Sequence, residues 1–277
     1  MTIKEPLLGQ INQGSIFSCA KADRYPNCIV HGVVLTARCD LEQDKYNVLN
    51  YAPVVSLSDW LKVDGYEIAL SRISADLDSR IEAALNSVDL PMSILSSQTL
   101  TSILDAYIRS PEATKQLKKA EKKFVELHER VQQLVRWKEG YSRNNLDLFD
   151  RCESILKNLV RELANHKLAG YYFLPKLETD GNETGFVALL REVNHLPRKL
   201  ARLIAGGLDA TSEGLSDQSH WLALVDFTHS DFAMPVGEIT SPQVEHLLQT
   251  FSHLFGRIGL PDPERAKVDA FCAIRPQ

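Results

Sequence analysis

The feature that most constrains this chain is a change of period along its length. Over residues 66–167 apolar side chains recur at intervals of three and four, whereas on either side they crowd into short β-branched runs. The first spacing places apolar groups on one stripe of a helix, and the second belongs to strands. Leu70, Ile73, Leu77, Ile81 and Leu85 predict a helix starting at Tyr66, with hydroxyl and acidic caps just before it in 56–60 (SLSDW). Leu100, Ile103, Leu104, Tyr107 and Ile108 predict a second helix over 97–108. At Ser110-Pro111-Glu112 the order N-cap, first-position proline and first-turn acid predicts the start of a third. Its apolar positions, Leu117, Ala120, Phe124, Leu127, Val131 and Leu134, form a heptad seam. Gly140, Tyr141 and Ser142 interrupt it, Asn144 and Asn145 follow, and the beat resumes in Phe149, Cys152, Leu156, Leu159 and Leu163. Two helices joined by a short glycine turn run antiparallel, so 110–168 is expected to be a helical hairpin about 35 to 45 Å long at ~1.5 Å per residue.

The flanks read as β structure. GSIF (14–17), CIVHGVVLTARCDL (28–41) and YNVLNYAPVV (46–55) lack intervening helices and are expected to pair antiparallel, with Pro53 closing the third run. GYYFLPKL (170–177), a turn at Asp180-Gly181-Asn182 and GFVALLREV (185–193) continue the pattern, and WLALVDFT (221–228) is apolar enough for a strand or for a short buried helix. Short helices are expected at 197–205, ended by Gly206-Gly207, and from Ser241-Pro242 to Gly256. The resulting expectation is an α+β fold in two parts. A small antiparallel β-barrel core comes from 1–65 and 169–277, and an inserted helical arm, 66–168, carries the hairpin.

Thirty-one Lys plus Arg against 36 Asp plus Glu give a net charge of −5, which excludes a protein basic in bulk. No apolar run approaches the ~20 residues that span a bilayer, and 1–12 lacks a basic, then apolar, leader, so the expectation is a soluble, cytoplasmic protein without a membrane partner. The cysteines, Cys19, Cys28, Cys39, Cys152 and Cys272, are odd in number, which favours reduced thiols over a disulfide framework. Cys19, Cys28 and Cys39 with His31 invite a zinc reading. On one strand, however, Cys28 and His31 face opposite ways, and His31 and Cys39 stand ~26 Å apart at ~3.3 Å per residue. No metal and no cofactor is therefore expected.

Arg38-Cys39-Asp40 is the most site-like cluster. A neighbouring Arg can lower a thiol's pKa and make it a nucleophile. On a regular strand, though, Cys39 shares the apolar face of Val33, Leu35 and Leu41, which predicts a core thiol. Thr36, Arg38 and Asp40 share the other face, as an ion pair at the strand end or as a polar recognition site. Asp40, Glu42 and Asp44 read as a solvated turn, lacking the glycine and terminal Glu of a calcium loop. Asp226, His229 and Asp231, flanked by Phe227 and Phe232, read as a polar loop tied down by its rings. No phosphate-binding loop, H-E-x-x-H or G-x-S-x-G occurs. Lys115, Lys118, Lys119, Lys122 and Lys123 form a positive stripe suited to phosphates, but Glu112, Glu121, Glu126 and Glu129 interleave as partners of a solvated face.

In order, GSIF, VVLTARCDL and VLNYAPVV resemble the opening of small SH3-like barrels of the PemK/MazF toxin class, and more closely uncharacterised bacterial proteins with a Cys-Asp pair ending the second strand and a C-terminal stretch like SPQVEHLLQTFSHLFGRIGLP. The resemblance implies an SH3-like barrel and a bacterial stress or anti-phage defence setting. Of the positions toxin members use to cleave RNA, only Thr36 and Arg38 have counterparts nearby, and no Arg-Pro element precedes Val33. The expected function is a non-enzymatic protein-interaction or regulatory component that forms homo- or hetero-oligomers through the arm. The rival is an endoribonuclease acting on single-stranded RNA through Thr36 and Arg38, and a third reading is a thiol enzyme at Cys39. Trp137 near the expected hairpin tip, with Val135 and the other off-seam apolar residues Val125, Ile155 and Val160, is the expected binding surface.

Overall fold

The computed structural model describes residues 3–7, 9–139, 147–179, 183–211 and 219–256. The turns expected at 140–145 and 180–182, Cys272 and the end of the C-terminal stretch lie outside them. Ten strands are described: β1 (Ile3–Lys4), β2 (Ser15–Phe17), β3 (His31–Val34), β4 (Val48–Ser56), β5 (Tyr171–Leu174), β6 (Phe186–Leu189), β7 (Asn194–Pro197), β8 (Leu208–Asp209), β9 (Phe232–Ala233) and β10 (Pro235–Ile239). The helices are α1 (Arg38–Glu42), α2 (Leu57–Trp60), α3 (Tyr66–Asn86), α4 (Leu100–Ile103), α5 (Lys115–Glu139), α6 (Asp147–Arg151), α7 (Glu153–Ala164), α8 (Arg198–Gly206) and α9 (Gln243–Phe255). The fold is α+β, as the sequence predicts.

A curled, wholly antiparallel sheet runs in the order β1-β10-β2-β3-β4-β6-β5, with β7 also paired to β4. It draws strands from both termini, and β1 and β5 do not pair among the described residues, which leaves it a half-barrel. Pro53 sits inside β4 rather than at its close. Residues 48–51 of β4 pair with β7 and 54–56 with β6, so the proline falls in the gap where the partner changes. A missing N–H is harmless there. Opposite it is Gly32, wedged beside the edge-to-face rings of Phe17 and Tyr51, where any Cβ would collide with both.

Both faces of the sheet are buried, so its strands read as nearly continuous apolar text. Phe17, Val34, Tyr51, Val55 and Val187 point into one core, while Ile16, Val33, Ala52, Val54 and Ala188 point into the other. α8 and the lower half of α7 cover the first face, and α9 covers the second through Val244 and Leu247. A third core belongs to the arm, where α3, α4, α5 and α6 bury Leu77, Ile81, Phe124, Leu127 and Phe149.

Several expectations change at this level. The principal partner of α5 is α3, which runs antiparallel to it, rather than the helix after the turn. The seam of α7 is split. Cys152, Ile155 and Leu156 pack on the arm core, but Leu159 and Leu163, both fully buried, pack on the sheet. Within the expected insertion, 66–168, one helix therefore serves both the arm core and a core of the sheet. α5 begins at Lys115, later than Ser110-Pro111 suggests. Ser110 instead closes a turn with Ala113, and Thr114 Oγ1 accepts a hydrogen bond from Leu117 N at 3.3 Å. Of the two readings of 221–228 the strand is not formed: a 3-10 turn spans Ser219–Ala223, and Trp221 and Val225 enter the core together at helical spacing.

Leu159→Ala is expected to lower stability by about 2 to 5 kcal/mol, as a buried leucine does when its cavity cannot collapse. Urea unfolding measures it. A loss below ~0.5 kcal/mol would mean that α7 does not close the sheet.

Candidate functional site

The four residues singled out at the end of the second β run do not share a strand. β3 stops at Val34 because Thr36 takes over the ladder: its Oγ1 accepts from Asn50 N at 2.7 Å, while Leu35 N and Thr36 N both donate to Asn50 O. The backbone then turns into α1. Thr36 is buried, whereas Arg38, Cys39 and Asp40 occupy one exposed helical turn. Cys39 is thus a solvent-facing thiol, donating to Asp40 Oδ1 at 3.7 Å, and not the core thiol that strand alternation predicts. Arg38 forms no ion pair with Asp40, so the expected strand-end pair is absent. Just beyond, Asp44 accepts from Arg198 Nη1 at 3.4 Å and from Arg202 Nη2 at 2.5 Å. Asp226 is spent on Thr228, and its cavity with His229 and Cys19 holds about 30 Å3, no more than a water or two. Among the described residues no group of three His, Cys, Asp or Glu is placed to hold a metal.

The structure assembles a different cluster that no motif announces. Between α2 and α3 the helix widens into a π turn, Leu61–Gly65, and Asp64 in that turn is 5% exposed. A carboxylate so buried needs partners, and the loop before β3 supplies them. Tyr25 Oη donates to Asp64 Oδ2 at 2.6 Å, and Arg24 pairs with Asp64 and, at 2.5 Å, with Glu67. Burial, and then the Asp64 carboxylate, push the Tyr25 hydroxyl well above its ordinary pKa; the Tyr171 hydroxyl beside them is pushed up to about 12 for the same reasons. The same loop is tacked at a second point, where Glu192 Oε1 accepts from Asp23 N at 2.8 Å and Asn194 Nδ2 donates to Lys21 O at 3.0 Å. One signal in the sequence pointed here: Asp64 stands four residues after Trp60 and four before Ile68, a charge on an apolar stripe. The cluster is a clasp between the sheet and the arm.

One open volume lies in the arm, and a smaller one of about 370 Å3 lies by Gln10, Tyr46 and Arg202. A groove of about 660 Å3 runs between α3, residues 95–101 and α5, with Leu77, Ile81, Leu100, Val131 and Leu134 among its lining and Thr101 and His128 across it at 3.3 Å. Val135 stands in this groove and is 39% exposed, as a binding residue requires. Trp137 is different. It is 6% exposed, its Nε1 donates to Asp147 Oδ2 at 2.9 Å, and its carbonyl accepts from Tyr66 Oη at 3.0 Å. The indole is therefore a strut between α5, α6 and α3, which removes it from the surface. Val125 and Ile155 also pack on the arm core.

Compared with family models, with curated proteins and with solved structures, the chain matches none.

Tyr25→Phe is expected to lower stability by about 1.5 to 3 kcal/mol, since it strips a hydrogen bond from a buried charge. Arg24→Met is expected to cost at least as much, about 3 kcal/mol, because it leaves the buried Asp64 carboxylate without its counter-charge. Urea unfolding of the two variants checks this, and a loss below about 1 kcal/mol in Arg24→Met would contradict it.

Proposed function

We propose that the protein is a non-enzymatic interaction component that grips a partner protein in the groove between α3 and α5. The observation that carries this reading is the groove itself, large, open and lined with leucine, isoleucine and valine, with Val135 exposed within it. A partner presenting an apolar helical face fits such a channel. The bacterial stress or anti-phage setting is part of the proposal and rests on the resemblance of the β segments, as does an SH3-like ancestry for the half-barrel. The ribonuclease reading has less support. Thr36 is buried with its hydroxyl bonded to Asn50 N, and Arg38 stands on an exposed turn. No helix among the described residues is long and apolar enough to cross a membrane.

A benzophenone side chain installed at position 135 is expected to cross-link, on irradiation in cells, to one discrete protein or to a second copy of this chain. In the purified complex Val135→Glu is expected to weaken association at least tenfold, about 1.4 kcal/mol. Val48→Glu, equally exposed but on β4, is expected to leave it unchanged. Diffuse adducts, or equal effects from the two variants, would contradict the proposal.

A further inference from the structure

The reverse face of the same arm carries a second surface. Lys115, Lys118, Lys119, Lys122 and Lys123 are all exposed on the first turns of α5, and none of them lies within ion-pair distance of a carboxylate among the described residues. The interleaved acids do not neutralise them as the sequence suggests. Glu121 is held instead by Arg109 Nε at 2.8 Å, and Glu112, Glu126 and Glu129 pair with none of the five. At 3.6 residues per turn these lysines span one face of the helix, while Leu117, Phe124, Leu127 and Val131 point the opposite way, to the arm core and the groove. Nothing in the fold uses the five charges.

We propose that this lysine face binds the phosphate backbone of duplex nucleic acid, independently of the groove. The lysines cover about 12 Å at ~1.5 Å per residue, and a duplex presents one charge per about 1.7 Å of axis, so every ammonium can meet a phosphate. The overall charge of −5 does not prevent this, because at ~0.1 M salt charges beyond about 10 Å are screened. A duplex is favoured over a single strand because none of the lysine positions is interrupted by an aromatic on which unpaired bases would stack. It is favoured over a membrane because a membrane-docking helix sets apolar side chains beside its lysines, and here the apolar side chains of this stretch face inward. The contacts reach phosphates only, so binding is independent of base sequence.

Fluorescence anisotropy with a labelled 20-base-pair duplex tests it. Binding is expected at 50 mM salt, with log K falling against log salt at a slope between about −3 and −4.5, as three to five phosphate contacts give. The combined variant Lys115→Gln, Lys118→Gln, Lys119→Gln, Lys122→Gln, Lys123→Gln is expected to lose at least tenfold in affinity and to show a shallower slope. The smaller variant Lys122→Glu with Lys123→Glu, read if the larger one loses helicity, is expected to weaken binding at least fivefold. Lys157→Gln, whose lysine is paired with Glu153 on α7, is expected to change nothing. No duplex binding at 50 mM salt, full affinity in the lysine variants, or tighter binding to phosphatidylserine vesicles than to the duplex would overturn the proposal. Val135→Glu is expected to leave duplex binding intact, which separates failure of this surface from failure of the groove.

Discussion

A carboxylate taken out of water must be neutralised where it lies, and Asp64 imposes that condition at the joint of the molecule. It stands in the π turn through which β4 and α2 hand the chain to α3, so its partners decide how the arm leaves the sheet. Burying an ion costs several kcal/mol, and only good geometry with further hydrogen bonds recovers it. Tyr25 and Arg24 provide that geometry from a loop 39 and 40 residues upstream. The clasp thereby fixes the loop between β2 and β3, which Glu192 and Asn194 hold from the other side.

The second tie between the two parts is α7. Its upper turns pack on the arm and its lower turns on the sheet, and Arg72 of α3 reaches Glu162 through both guanidinium nitrogens, at 3.1 and 2.6 Å. Sheet and arm are therefore tied through one shared helix and the Arg72–Glu162 pair beside it. One face of α5 packs in the arm core, and what remains open on it is the edge along the groove and the lysine face. The groove lies beside its inward-facing residues and the lysines stand on the reverse, so occupation of one surface does not sterically block the other.

Much of this was legible in the sequence, and the failures have physical causes. Period alone placed α3, the long α5 and the strands of both termini. Period does not say what each stripe packs against, because an amphipathic face specifies a partner's polarity and not its identity; hence the continuous seam through Leu156 and Leu159 predicts one hairpin although it feeds two cores. Trp137 lies off the heptad, which suggests a binding surface, but α6 places Asp147 on its indole. The apolar run 28–41 predicts one strand, or two if Gly32 bends it, because nothing local shows that Thr36 Oγ1 accepts the Asn50 amide and ends the ladder. Asp64 needed the fold to supply Tyr25, and the lysine face needed it to show that Glu121 is spent on Arg109.

The central claim, that the sheet and the upper arm open together through α7 and the Asp64 joint, is tested most directly by hydrogen exchange resolved by peptide. The account predicts that peptides covering 154–164, 60–70 and 186–190 exchange on one slow time course under native conditions, as members of a single cooperative unit do. Exchange of 154–164 together with 115–139 on a faster course, while 186–190 stays protected, would show instead that α7 belongs to a separate hairpin, and would contradict it.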